Sequence, residues 1–136
     1  MQEGHRLLGI SNDAVPELLY TVTAARRSWA DANKEAVTRY ARAMASAFRF
    51  IRNPANRDRI VKTIVETTGS SDAIARQTLD LYFKPERGVL PRHAEIDLKG
   101  LEQVIALMSE AGTIKPPLPS ADRFVDLQYL RAAGAQ

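Results

Sequence analysis

The sequence predicts an α/β fold that is rich in helix and carries its strands at the N-terminus. Two short apolar runs, His5 to Ile10 and Leu18 to Ala25, combine β-branched or aromatic residues with turn-forming flanks. After about residue 30 the apolar residues recur with the period of amphipathic helices. We therefore expect one or two short strands within residues 1–27, followed by about four helices within residues 28–136.

The first long predicted helix runs from Asn33 to Asn53. Its apolar residues recur at the i, i+3, i+4, i+7 spacing of one buried stripe. Asn33 is the predicted N-cap. Trp29 is expected to be a core anchor that packs the preceding strand against this helix. The stripe consists of Val37, Tyr40, Ala41, Met44, Ala47, Phe48 and Ile51.

Capping signals predict the next two helices. Asn53 can cap the second helix, with Pro54 at its first position and Gly69 after its end. The third helix follows at once, capped by Ser70 or Ser71. We expect these two helices to be short and to follow each other closely.

The last long helix is predicted between Asp97 and Gly112, after a loop rich in proline and charge at residues 84–95. Asp97 suits the N-cap, and Gly112 suits the left-handed conformation that ends many helices. The tail beyond it contains several turn-forming residues and then a short apolar stretch.

Length and composition limit the classes of protein that are possible. The chain has 136 residues, of which 45% are hydrophobic and 26% charged, as in an ordinary globular domain. Its apolar runs are shorter than the ~20 residues that cross a bilayer. The absence of cysteine excludes disulfides and thiolate metal sites. The N-terminus does not read as a secretory signal peptide, which predicts a cytoplasmic protein if Met1 is the true start.

Chemical motifs are scarce. His5 and His93 are far apart and have no carboxylate cluster at ligand spacing, so no metal is expected. The sequence contains no G-x-S-x-G nucleophile motif, and its glycines occur singly rather than in a phosphate-binding loop. We expect neither catalysis nor a cofactor.

The stretch from Lys34 to Lys62 contains eight basic and two acidic residues. Arg39, Arg42 and Arg49 fall opposite the apolar stripe, as in a helix that binds phosphates. No aromatic platform or nucleic-acid motif accompanies them, and a solvated helix face has the same pattern. We favour the solvated face and expect no nucleic-acid partner.

The segment from Thr21 to Gly69 resembles the C-terminal part of the periplasmic substrate-binding proteins of ABC importers. The similarity is to the branch for nitrate, sulfonates such as taurine, and thiamine precursors. The matching features are Asn33 and the run AFRFIRNPANRD from Ala47 to Asp58. Lys34 departs from the pattern, since proline is common there in the family.

A second segment, residues 96–130, resembles the last helix and the end of these proteins. Its matching residues are Gly112 and Ile114 at the helix exit and the closing V-D-x-x-Y-L, here Val125, Asp126, Tyr129 and Leu130. Together the two segments carry the resemblance over nearly the whole chain, from about residue 5 to residue 130.

The resemblance implies a partial domain, residues 1–136, of a type II periplasmic-binding-protein-like fold with two lobes. It implies a non-catalytic solute-binding component for a sulfonate, nitrate or related organic anion. The implied partners are that solute and an ABC permease, and the implied compartment is the periplasm. Tyr20, Thr21 and Thr23 would contact the solute near the crossover between lobes. We favour the alternative that these three are ordinary strand residues.

Two further expectations concern surfaces. Unpaired strand edges predict a homo-oligomer of the isolated chain. Phe50 falls off the apolar stripe, so it packs either on the second helix or against surface that other segments cover.

The alternative function is a stand-alone helical interaction module, in which the basic stretch 34–62 contacts protein or nucleic acid.

Overall fold

A computed structural model describes residues 6, 8–15, 18–83 and 94–134 of the chain. These residues are 66% helical and contain no β-strand. Their α-helices are Ser11–Ala14 (α1), Arg27–Ala32 (α2), Lys34–Arg52 (α3), Arg57–Thr68 (α4), Asp72–Tyr82 (α5), Leu98–Glu110 (α6) and Gln128–Ala132 (α7), with 3₁₀ helices at Pro54–Asn56 and Ala121–Phe124.

The prediction of an α/β fold with N-terminal strands is therefore wrong, and so is the two-lobe fold that the resemblance implied for this chain. The stretch 18–26 is neither strand nor helix, and the described part of the run 5–10 forms no strand. The backbone N–H of Leu19 donates to the carbonyl of Gly100 in α6, at 3.4 Å. A segment with strand propensity forms a strand only when a neighbouring strand pairs with it, and the described residues contain no such neighbour.

The chain divides into two compact units. The first comprises Met1–Val22 and Asp97–Val125, and the second comprises Thr23–Ile96 and Asp126–Gln136. The single partial domain expected from the sequence, with its boundary near residue 27, stays a prediction.

The long predicted helix is confirmed as α3, but its predicted cap is wrong. The side chain of Asn33 caps no backbone N–H; instead its Nδ2 donates to the carbonyl oxygen of Trp29 at 2.8 Å. The reason is that only Asn33 separates the end of α2 at Ala32 from the start of α3 at Lys34. Asn33 thus lies between two helices rather than at a free N-terminus.

The predicted cap of the third helix is confirmed, but the second predicted helix begins differently. Asn53 caps the 3₁₀ helix Pro54–Asn56, and α4 starts after it at Arg57 with no side-chain cap. Asn53 Oδ1 accepts a hydrogen bond of 3.0 Å from the N–H of Ala55, and a 3₁₀ turn then leads into α4. Gly69 ends α4 with a φ of 71°. Of the two predicted serines, Ser71 caps α5, because its Oγ accepts from the N–H of Ile74 at 3.3 Å.

Two apolar clusters hold the second unit together. In one, α4 packs on α5, and Ile51 and Phe83 are among the partly buried residues against it. In the other, α7 packs on α3, where Ala45 and Ala133 meet. The buried residues of the first cluster are Ile60, Val61, Ala75 and Leu79.

The prediction that Trp29 is a core anchor is wrong, because its side chain is 52% exposed. It lies in α2, whose buried residue is Ala30. The expectation assumed a strand on one side of the indole ring, and no described strand exists for the ring to cover.

The first unit is built on α6. Asp97 Oδ1 accepts from the N–H of Lys99 at 3.1 Å, which confirms the predicted cap. Gly112 adopts a φ of 73°, and the N–H groups of Thr113 and Ile114 then donate to the carbonyl of Met108. The 3₁₀ helix Ala121–Phe124 packs on α6. Every described helix is too short or too polar to cross a lipid bilayer.

Half of the buried hydrophobic residues in the described part of the chain are alanines. Larger apolar side chains such as Leu8 and Phe124 are exposed. Apolar surface of this kind favours association. The homo-oligomer nevertheless stays a prediction.

Candidate functional site

The three residues expected to contact a solute lie on the surface. Tyr20 and Thr21 are exposed residues of the first unit. Thr23 belongs to the second unit, where its Oγ1 shares a hydrogen bond of 2.9 Å with the hydroxyl of Tyr40 in α3. This hydrogen bond attaches Thr23 to α3. Their contact with a solute stays a prediction.

The arginines of the predicted basic face are exposed on α3, as expected. All three have partners within the chain, and Arg49 donates to Ser46 Oγ at 3.1 Å. Arg39 forms an ion pair with Glu35 at 3.0 Å, and Arg42 Nε donates to the carbonyl of Ala133 at 3.4 Å. These contacts reduce the donors that the face could offer to a row of phosphates.

The rest of the basic stretch is also partly neutralised. Arg57 pairs with Asp80 at 2.7 Å, and Lys62 pairs with Glu66 at 3.7 Å. A phosphate-binding surface gains affinity from cations that release counterions, and cations already paired with carboxylates release fewer. This arrangement lowers the positive charge that the stretch 34–62 could offer to nucleic acid.

Two arginines of this stretch stack on phenylalanine rings. The guanidinium carbon of Arg59 lies 5.4 Å from the ring centre of Phe50, and that of Arg52 lies 5.5 Å from the ring centre of Phe83. Both distances suit cation–π attraction. Phe50 therefore contacts the second predicted helix, the first of its two expected environments, and it stays exposed at one edge of α3.

A shallow groove lies beside the second stack, between the end of α3, the start of α4 and the end of α5. Its volume is about 150 Å³. Asn53 and Pro54 line its end at the turn between the helices. Its apolar lining comprises Ile51, Ile60, Leu79 and Phe83, and its two cationic residues are Arg52 and Arg57.

Arg57 is held in place at this groove by α5. Its Nη2 donates to Asp80 Oδ1 at 2.7 Å and to the carbonyl of Arg76 at 3.4 Å. A guanidinium also carries donors on Nε and Nη1. Arg57 is thus positioned by one nitrogen and retains other N–H groups with which to bind an anion.

Arg76 links α4 to α5 near the groove. It bonds to Asp72 at 2.7 Å and to Asp58 at 3.0 Å. The hydrogen bonds to Asp72 and then Asp58 raise the pKa of Arg76. Exposed pairs of this kind add little stability, and their effect here is to occupy both carboxylates.

The closing segment forms a separate polar cluster in the second unit. Asp126 Oδ1 accepts from the N–H of Gln128 at 3.1 Å, and Asp126 Oδ2 lies 3.7 Å from Arg27. The hydroxyl of Tyr129 donates to Asp31 at 3.3 Å. The residues that carry part of the sequence resemblance therefore attach the end of the chain to α2.

Within the described residues, no group of three or more histidine, cysteine, aspartate or glutamate side chains could hold a metal ion. His5 and His93 lie outside the described residues. The expected lack of a metal, of a cofactor and of catalysis stays a prediction.

Sequence reasoning missed the groove. The run RFIRNP gives one hint of a groove, because it places an apolar residue, Ile51, and a cation, Arg52, just before the turn at Pro54. The opposite side of the groove comes from Leu79 and Phe83, more than 20 residues further on. Nothing in a linear pattern pairs these two stretches, because the packing of α4 on α5 brings them together.

Comparisons of the chain with protein-family models, with curated proteins and with solved structures found no significant match.

Proposed function

We propose that this chain is part of the solute-binding component of an ABC importer. It takes part, without catalysis, in binding a small molecule such as a sulfonate, nitrate or related organic anion. The proposal carries with it a solute and a membrane permease as partners and the periplasm as the compartment. It does not require strands within this chain, since it rests on the helical region and the closing segment.

The observation that carries the proposal is the packing of the closing segment. The residues that match the family's ending have specific contacts: Asp126 accepts the backbone N–H of Gln128 and pairs with Arg27, and Tyr129 donates to Asp31. Leu130 joins the cluster between α7 and α3. A chain end that packs on the start of the helical region supports a link between the two resembling segments.

Sequencing the DNA around the coding region tests this proposal. We expect further strand and helix segments upstream in a continuous frame, together with nearby genes for an ATPase and a permease. An in-frame stop codon and an independent ribosome-binding site just before Met1, with no importer genes nearby, would contradict it.

A binding measurement on the chain itself adds a second test. Calorimetric titration with taurine and with nitrate is expected to show weak binding or none. The groove of about 150 Å³ is smaller than the roughly 300–1,000 Å³ of typical ligand pockets. Micromolar binding by the monomeric chain would show that these 136 residues form a complete solute-binding site on their own.

A second candidate function is a helical protein-interaction module that uses the stretch 34–62. The observation that favours it is the pair of arginine–phenylalanine stacks at Arg59–Phe50 and Arg52–Phe83. Aromatic residues and arginine are enriched where proteins bind each other. Duplex DNA at low ionic strength is the control ligand, and strongly salt-dependent binding to it would instead identify nucleic acid as the partner.

A further inference from the structure

We propose that the peptide bond between Arg26 and Arg27 is a processing site, cut by an endoprotease of trypsin-like specificity that hydrolyses bonds after arginine. The cut leaves residues 1–26 attached to the rest of the chain through the first unit. This inference is independent of both functions proposed above, because it depends on neither the closing segment nor the stretch 34–62.

A run of exposed chain, residues 20–29, surrounds this bond. Residues 18–26 form neither helix nor strand, and Arg26 has an extended backbone with a φ of −65° and a ψ of 129°. A protease binds its substrate as an exposed and extended segment, and exposed chain outside regular structure is where nicking concentrates. The residues that precede the bond are therefore already in a suitable conformation.

The start of α2, on the other side of the bond, opens easily. The carbonyl oxygen of Arg26 accepts a hydrogen bond of 3.0 Å from the N–H of Ala30, and this bond must open before cleavage. No side chain among the described residues caps α2, and its first turn contains no acidic residue. Arg26 and Arg27 instead place two positive charges at the positive end of the helix dipole. A helix start of this kind frays at small cost.

The two arginines also suit the charge of a trypsin-like protease. They are the only two consecutive basic residues in the sequence. Arg27 lies 3.7 Å from Asp126, whereas Arg26 has no ion-pair partner among the described residues. The guanidinium of Arg26 can therefore enter the acidic pocket with which such proteases select arginine. The second charge adds to the attraction of an acidic cleft.

Most other basic residues of the described chain are poorer sites. Those of α3, α4 and α5 lie within helices, where several backbone hydrogen bonds must open before a protease can bind. Lys115 is exposed outside the helices, but Pro116 follows it. A proline after the bond lacks the backbone N–H and fixes the chain, so the bond resists cleavage.

Residues 1–26 stay attached after the cut. Met1–Val22 forms one compact unit with Asp97–Val125, and the N–H of Leu19 donates to the carbonyl of Gly100 at 3.4 Å. Hydrolysis adds one water across the bond and leaves a carboxylate on Arg26 and an amine on Arg27. It removes no contact of Leu19. The product is therefore a nicked chain rather than two separate fragments.

The test is limited proteolysis of the folded full chain with a small amount of trypsin, followed over time by intact-mass spectrometry. We expect the fragments 1–26 and 27–136 to appear early. The bond after Arg26 should be cut about tenfold faster than bonds within α3 and α4, since only a local opening is needed. Size-exclusion chromatography of the nicked chain without denaturant should show both fragments in one peak.

Variants at the bond identify it. Arg26→Gln removes the cleaved arginine, and Arg27→Pro blocks the bond while suiting the first position of a helix. Both should abolish the fragment 27–136, whereas Arg26→Lys should retain the cut, because trypsin also accepts lysine. Arg39→Gln is the matched control, since it removes an exposed arginine inside α3, and it should leave the cut after Arg26 unchanged. Thermal melting of each variant confirms that it folds.

Three results would overturn the proposal. The first is a bond after Arg26 that stays intact until bonds inside α3 and α4 are also cut, because this segment would then open only with the whole fold. The second is early cleavage of the wild type after Arg27 instead of Arg26, which would place the accessible bond inside α2. The third is separate elution of the fragment 1–26, which would contradict its attachment through the first unit.

Discussion

The hydroxyl of Tyr129 donates a hydrogen bond of 3.3 Å to Asp31 Oδ1, which joins α7 to α2 across 98 positions of sequence. The side chain of Tyr129 is buried. Burial, followed by the negative charge of Asp31, raises the pKa of Tyr129. The end of the chain is therefore attached by a titratable contact as well as by the apolar packing of α7 on α3.

Tyr129→Phe is expected to reduce the loss of stability at alkaline pH. Because the pKa of Tyr129 is higher in the folded chain than in the unfolded chain, the protonated phenol stabilises the fold. That contribution is complete below the ordinary tyrosine pKa of about 10 and is lost as the pH rises through the folded value. Urea unfolding of both proteins from about pH 8 to about pH 11 measures the difference.

The substitution removes a single titratable group, so the difference between the two pH profiles isolates Tyr129. At neutral pH the variant should be the less stable protein, because it lacks the hydrogen bond to Asp31. Parallel profiles would mean that Tyr129 titrates alike in both states.

Ala45→Leu is expected to destabilise the second unit. Ala45 is fully buried where α3 meets α7, beside Ala133 and Leu130. A larger side chain there must displace the closing segment, at a cost of about 1–3 kcal/mol. Ala43→Leu is the control, since Ala43 lies on the exposed side of the same helix. Chemical denaturation of both variants tests this, and equal stabilities would contradict the packing.

Val61→Ala tests the cluster between α4 and α5. Val61 is 1% exposed, and its variant should lose about 2 kcal/mol of unfolding free energy through lost burial and the cavity left behind. Leu81→Ala removes more carbon atoms from a side chain of α5 that is 50% exposed. It should change stability by no more than about 0.5 kcal/mol. A larger loss for Leu81→Ala would show that this surface is covered in solution.

Gly69→Ala tests the end of α4. The φ of Gly69 is 71°, and an added Cβ would meet no atom within 4 Å. The expected loss of about 1 kcal/mol is therefore a backbone cost alone. Gly9→Ala is the control, because that position is equally open and has no positive φ. Thermal melting should separate the two variants, and equal midpoints would argue against the left-handed turn.

Local sequence determined the long helices and most of their ends. The length of α3 and the caps at Asn53, Ser71 and Asp97 depend on residues within one or two turns of the chain. The predicted buried stripe of α3 was less accurate, because Tyr40 is 47% exposed and the buried residue of the helix is Ala45, which the stripe did not include. Such interactions are visible in a linear pattern, because helical hydrogen bonds join neighbours in sequence.

Tertiary structure decided the rest. The apolar run 18–25 has strand propensity, but a strand needs partners, and the N–H of Leu19 bonds to Gly100 in a helix instead. The side chain of Asn33 binds the carbonyl of Trp29 in the preceding helix and therefore does not cap α3. Trp29 itself is exposed, and no strand among the described residues packs on it. The groove arises where α3, α4 and α5 meet. Each outcome depends on contacts between residues far apart in the chain, which no local pattern encodes.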